Sequence, residues 1–259
     1  MTRDGIKAAW VFLTVAFLAA GALGAAQPAT RIPAEVVQLT QFGPALGVGL
    51  VALLWPGVVR ALWRGEGGGR PGRRGTALAA TAVLIIAASA AAYGVIGGDA
   101  RFTRPSALEH PFALIVVAQL IGACGEEIGW RCFLQPLLGD RFGSFVSSGV
   151  VGAVWGVWHV QVFAQDPVYA GAFLLGAVSM SVVLGWALEG VAPAARLPLA
   201  GGFHALINLG MLLFMDEESG AVPPMVLFGA SCLVAAVVWT AARTRRAAAR
   251  IHPILDHAR

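Results

Sequence analysis

Apolar runs long enough to cross a bilayer recur along this chain, and most of its charge falls in the gaps between them. The runs cover residues 8–26, 39–63, 76–97, 111–138, 142–163, 170–188, 197–215 and 222–242. A bilayer core takes roughly 20 residues of helix, so most of the runs suffice. Hydrophobic residues make up 58% of the sequence and charged residues 12%, against roughly 25% charged in soluble domains. That balance suits lipid as the solvent. The predicted fold is all-α: a polytopic transmembrane helical bundle of about eight membrane helices. The first run follows Arg3 and Lys7, as a signal peptide would, but it exceeds the usual apolar stretch of roughly 7–15 residues. It is therefore expected to remain as a span.

The formal net charge is +4, and its placement gives orientation. Arg60, Arg64, Arg70, Arg73 and Arg74 crowd one connector, against Glu66. Arg243, Arg245, Arg246 and Arg250 follow the last run, and Arg3 and Lys7 precede the first. Asp216, Glu217 and Glu218 form a connector with no base. Lys and Arg mark the cytoplasmic side. Eight spans put all three basic regions on one face, so the expectation is a multi-pass protein of the plasma (inner) membrane with both termini cytoplasmic. No basic helix with interleaved aromatics suggests a nucleic-acid partner. The expected partners are the lipid bilayer and a peptide or membrane-protein substrate. Cys124, Cys132 and Cys232 form no CxxC pair and read as free thiols.

Ionisable groups inside membrane segments are costly and point to function. Four places stand out. Glu126, Glu127 and Arg131 lie in CGEEIGWRCFLQP. On a helix Glu127 and Arg131 share a side, while Glu126 turns about 100° away and is free to face something else. His159 sits in AVWGVWHVQVF, and His204 and Asn208 are four apart in GGFHALINLG. Gln119, just before the glutamates, reads as a helix–helix hydrogen bond. His110, His252 and His257 read as solvated. Each polar group alone has a structural reading, as a helix-end ion pair, a satisfied histidine or an interhelical polar pair. Together they could polarise a water and stabilise an oxyanion, or give zinc nitrogen and oxygen ligands. Either way the reaction class is hydrolysis.

These motifs resemble the CAAX protease and bacteriocin-processing (CPBP, or Abi) family of intramembrane proteases, which includes the eukaryotic Ras-converting endopeptidase. The resemblance is carried by Glu126-Glu127-x-x-x-Arg131, Trp155-x-x-x-His159 and His204-x-x-x-Asn208, in order, across residues 111–215. It implies an intramembrane endopeptidase with Glu126 and His159 activating water, His204 and Asn208 stabilising the oxyanion, and Glu127 and Arg131 shaping the site. Whether a divalent metal such as zinc takes part is open. Glu126, His159 and His204 would be its ligands, and a metal-independent glutamate–histidine pair could also activate water. The chain then divides into N-terminal membrane helices (1–110), the family-like core (111–215), and a last membrane helix with a basic tail (216–259), all one structural domain.

Two other function classes fit the composition. A non-proteolytic immunity or scaffold protein could use the same fold, but would not need Glu126 or His159. A transporter would favour repeated halves with broken helices at matched positions, and none is legible. One tension remains in the topology. Glu126 and His204 fall on the cytoplasmic half, whereas His159, 17 residues beyond Phe142, would lie roughly 25 Å along a straight helix. The expected remedy is that residues 136–148 lie partly outside the core, so that the fifth helix enters late.

Overall fold

The computed structural model describes residues 1–64, 67–96, 102–215 and 220–256, and beyond 245 only the course of the helix. Glu66, Asp216, Glu217, Glu218 and His257 lie outside the described residues, as do the side chains of Arg246, Arg250 and His252. The elements are α1 (Arg3–Thr30), a 3-10 turn (Leu39–Phe42) leading into α2 (Gly43–Leu54), α3 (Pro56–Trp63), α4 (Pro71–Val95) and α5 (Phe112–Gly129). A π-helical turn (Trp130–Leu134) follows, then α6 (Gln135–Trp158), α7 (Pro167–Leu188), α8 (Pro193–Phe214) and α9 (Val222–Asp256).

Their starts follow from the sequence. Pro56, Pro71, Pro167 and Pro193 each open a helix, where the missing N–H would have been unsatisfied anyway. Thr2 caps α1 by accepting from the Gly5 amide at 3.1 Å, and Asp166 caps α7 through the Val168 amide at 2.7 Å. Large apolar side chains such as Leu18, Leu84, Val117, Val234 and Val238 stay exposed on the outside of the bundle. Such a surface is stable against lipid tails and not against water.

The fold is the all-α polytopic bundle expected, with three refinements. Six helices are long and apolar enough to cross a membrane. One of them, 112–158, carries both the fourth and the fifth apolar runs in 47 residues. It is broken at Gly143, whose φ of 72° and ψ of 167° are not helical. That backbone belongs to glycine, and the chain reverses there. The second run is not one straight span. It bends by 113° between Leu39–Leu54 and Pro56–Trp63, because Pro56 cannot donate within the helix and its ring crowds the preceding turn. α3 has no buried residue. Counting the broken helix as two crossings and the bent pair as one gives about eight.

The break also resolves the depth of His159. Seventeen residues separate Glu126 from Gly143, and sixteen separate Gly143 from His159. Two antiparallel arms of nearly equal length, each about 25 Å at 1.5 Å per residue, bring the two side chains level. His204 lies eleven residues from one end of α8 and ten from the other. It is therefore mid-helix.

Three glycines set how close the first half of the chain approaches the second. Gly122, Gly125 and Gly129 recur on one face of α5. A Cβ at Gly125 would lie 2.9 Å from the Gln41 carbonyl oxygen, and one at Gly129 would lie 2.5 Å from the Pro44 Cβ and 2.8 Å from the Phe12 ring. Small residues let membrane helices approach to backbone contact. Phe12 then packs edge-on to Trp130 with centroids 5.4 Å apart. Gly129→Leu should therefore lower the melting temperature of the detergent-solubilised protein, since overpacking costs about 1–3 kcal/mol. Gly149→Leu, where a Cβ meets nothing within 4 Å, should melt like the parent. Equal melting of both variants with the parent would show that the α5 glycine face does not control packing.

Candidate active site

The two adjacent glutamates leave the end of α5 in different directions. Glu127 is fully buried and turns into the bundle. Its Oε1 lies 2.9 Å from His204 Nδ1, and its Oε2 lies 3.4 Å from Arg131 Nε. Arg131 is 1% exposed, and its guanidinium rests 5.1 Å from the centre of the Trp155 ring. A buried cation held by a carboxylate and an aromatic face is satisfied by charge more than by hydrogen bonds. Arg131 sits in the π-helical turn, a local widening that recurs at functional sites.

Glu126 is 2% exposed and faces the other way. Its Oε2 accepts from Trp155 Nε1 at 2.7 Å, and its Oε1 accepts from Gln41 Nε2 at 3.2 Å. Each oxygen is thus held by one neutral N–H donor, and neither donor neutralises the charge. The second donor depends on Gly122, where a Cβ would overlap the Gln41 amide.

Both histidines are oriented through Nδ1. His159 Nδ1 lies 2.9 Å from the Trp155 carbonyl oxygen. A carbonyl only accepts, so Nδ1 carries a proton, and in the neutral ring Nε2 keeps its lone pair. His204 Nδ1 donates to the Glu127 carboxylate. His159 is enclosed by Trp155, Trp158 and Phe173, with ring centroids 5.0–5.7 Å away. Trp158 Nε1 in turn donates to the Ala16 carbonyl of α1 at 3.1 Å. Asn208 Nδ2 donates to Gln119 Oε1 at 3.2 Å, in keeping with the interhelical role read for Gln119.

Glu126, His159, His204, Asn208, Gln41 and Gln119 line one cavity of about 520 Å³. The six site residues read from the sequence therefore divide. Four line the cavity, while Glu127 and Arg131 stand behind it. Trp155 is more than an aromatic wall, because its indole N–H grips Glu126. Gln41 gave no signal in the sequence: it is a lone amide 85 residues from its partner.

The residues bear on metal binding in two ways. Two imidazole nitrogens and a carboxylate suit zinc in kind. In spacing, the ligand atoms of Glu126, His159 and His204 do not all lie within 4.8 Å of one another. Among the described residues, the group whose ligand atoms all lie within 4.8 Å of one another is Glu35, Glu109 and His110. Glu35 and Glu109 line the mouth of the same cavity. His110, read as solvated, is 29% exposed and lies 3.7 Å from Glu35.

Residues 108–210 match the family described as Type II CAAX prenyl endopeptidase Rce1-like. A CAAX prenyl protease 2 from Methanococcus maripaludis is 27% identical over 150 residues, or 53% of this chain and 53% of that protein. Lysostaphin resistance protein A from Staphylococcus aureus is 25% identical over 134 residues, or 52% of this chain and 32% of that protein. The Staphylococcus haemolyticus protein of the same name is 22% identical over 125 residues, or 48% and 34%. The matched part thus spans about half of the methanococcal relative and about a third of the staphylococcal ones. Fold and site together define a polytopic helical membrane protein with a glutamate–histidine cavity inside the bundle. Over residues 108–210 the chain is similar to the CAAX protease and bacteriocin-processing (CPBP, Abi) family.

The buried ion pair yields a stability test. Glu127→Gln leaves Arg131 charged, buried and without a counter-ion, a loss expected to cost about 3–5 kcal/mol. Its melting temperature in detergent should fall clearly, and adding Arg131→Met should recover part of the fall. A Glu127→Gln protein that melts with the parent would refute the pairing.

Proposed function

We propose that the chain is an intramembrane endopeptidase that hydrolyses peptide bonds of membrane-associated or leader peptides with a water activated by Glu126. The observation that carries this reading is the Glu126 carboxylate, held between Gln41 and Trp155 on the wall of a cavity that His159, His204 and Asn208 also line. A general base must be fixed within reach of its water and must keep a free lone pair. Each Glu126 oxygen has one donor, which leaves a lone pair on each for that water.

In this mechanism the water donates to Glu126 and to the lone pair on His159 Nε2. Its oxygen attacks the scissile carbonyl as Glu126 takes the proton. The developing oxyanion accepts from the Asn208 amide and from Nε2–H of a protonated His204, whose charge Glu127 balances through Nδ1. Glu126 then returns the proton to the leaving amine. Glu127 and Arg131 act through His204 and Trp155 and touch no substrate. The spacing of Glu126, His159 and His204 supports activation without a metal.

The tests compare initial cleavage rates on a membrane-peptide substrate in detergent, with folding checked in parallel. Glu126→Gln keeps shape but cannot accept the proton, and should lower the rate by about 100- to 10,000-fold. Asn208→Ala should cost about 2.7–4 kcal/mol of transition-state stabilisation, as for a single oxyanion donor. Gln41→Leu should lower kcat with little change in KM. Dialysis against chelator should leave the parent rate unchanged. A Glu126→Gln protein that cleaves at the parent rate would leave an immunity or scaffold role in place of catalysis. Loss of activity to chelator, restored by zinc, would make Glu126, His159 and His204 metal ligands.

A further inference from the structure

The cavity has a definite end. Its mouth is formed by three connectors and the end of α8: residues 34–38 between α1 and α2, residues 103–109 between α4 and α5, residues 161–165 between α6 and α7, and Met215. Hydrogen bonds and contacts tie these segments to one end of the bundle. The Thr103 amide donates to the Leu213 carbonyl at 2.9 Å, and Gly220 packs against the Gln165 side chain.

The opposite end is equally well defined. The Gly69 amide donates to the Gly190 carbonyl at 3.1 Å. Arg74 donates to the Trp186 and Ala187 carbonyls at 2.8 and 2.7 Å. Arg243 pairs with Glu189 at 2.6 Å, and Ser144, just after the Gly143 break, donates to Glu189 at 3.3 Å. The start of α1 joins this end, since a Cβ at Gly5 would touch the Leu137 side chain.

Charge separates the two ends. Among residues whose side chains are described, eleven Lys and Arg belong to the closed end, from Arg3 to Arg245. Only Arg31 and Arg104 belong to the cavity end, together with Glu35, Glu109 and Asp166. Positive charge flanking membrane spans marks the cytoplasmic side. We propose that the cavity opens on the non-cytoplasmic face and takes its peptide from that side. The substrate class is then the extracytoplasmic end of a membrane-spanning or exported peptide. That class rests on the peptidase reading, whereas the direction of opening does not.

The size agrees with a peptide guest. Fourteen residues of helix separate Phe112, the first residue of α5, from Glu126, which is about 21 Å along the helix at 1.5 Å per residue. A cavity of about 520 Å³ admits a short peptide segment and excludes a folded domain.

The test reads sidedness alone. Ala107→Cys places a thiol on an exposed residue of the mouth, and Gly68→Cys places one at the closed end, where a Cβ meets nothing within 4 Å. Intact cells or spheroplasts expressing each full-length variant are treated with a membrane-impermeant maleimide, before and after permeabilisation, and the parent chain sets the background. Ala107→Cys should label in intact cells, and Gly68→Cys only after permeabilisation. The reverse pattern, or identical behaviour of the two, would overturn the proposal. Because no cleavage is measured, failure of the peptidase reading would leave this result intact, and would show instead as an inactive parent protein.

Discussion

Two carboxylates placed side by side in a membrane interior constrain everything around them. Neither can be left bare, because a buried charge must be paired and hydrogen-bonded to be tolerated. Glu127 meets this demand with His204 from α8 and Arg131 from the π-helical turn. Glu126 meets it with Trp155 from α6 and Gln41 from the turn before α2. The partners come from four separate segments, so satisfying two adjacent residues fixes how those segments meet. The carboxylates also divide the labour. One is spent on internal pairing, and the other is held by neutral donors and lines the cavity.

That arrangement needs close approach, which the glycines of α5 supply. Without space at Gly122 the Gln41 amide could not reach Glu126, and without space at Gly125 and Gly129 the first helices could not pack down on α5. The segment matched to the family runs from 108 to 210, yet one of the two donors on Glu126 lies before it. The N-terminal helices are therefore part of the site's construction as well as its container.

Much of this was legible in the sequence, and the exceptions have physical causes. Apolar runs gave the spans because lipid leaves no alternative for so little charge. The spacing of Glu127 and Arg131 gave their pairing, and left Glu126 on another face. The reversal was legible between the fourth and fifth runs, where residues 136–148 were expected to lie partly outside the core; what the runs did not show is that a single residue, Gly143, makes the break within otherwise helical chain. The bend at Trp55–Pro56 was hidden inside a continuous apolar run, where proline is often tolerated in membrane helices. Gln41 was illegible for a different reason. A single amide has no periodicity, and its meaning lies in a contact across 85 residues.

In the proposed reaction Glu126 acts on water as a base and forms no bond to the substrate. It is tested most directly by hydrolysis in 18O-labelled water under single-turnover conditions, with mass spectrometry of both the product and the Glu126 peptide. One labelled oxygen is expected in the new carboxyl terminus of the product and none in Glu126. Label in the Glu126 side chain would mean that the carboxylate had attacked the peptide itself, and would contradict the role its two donors and its cavity assign to it.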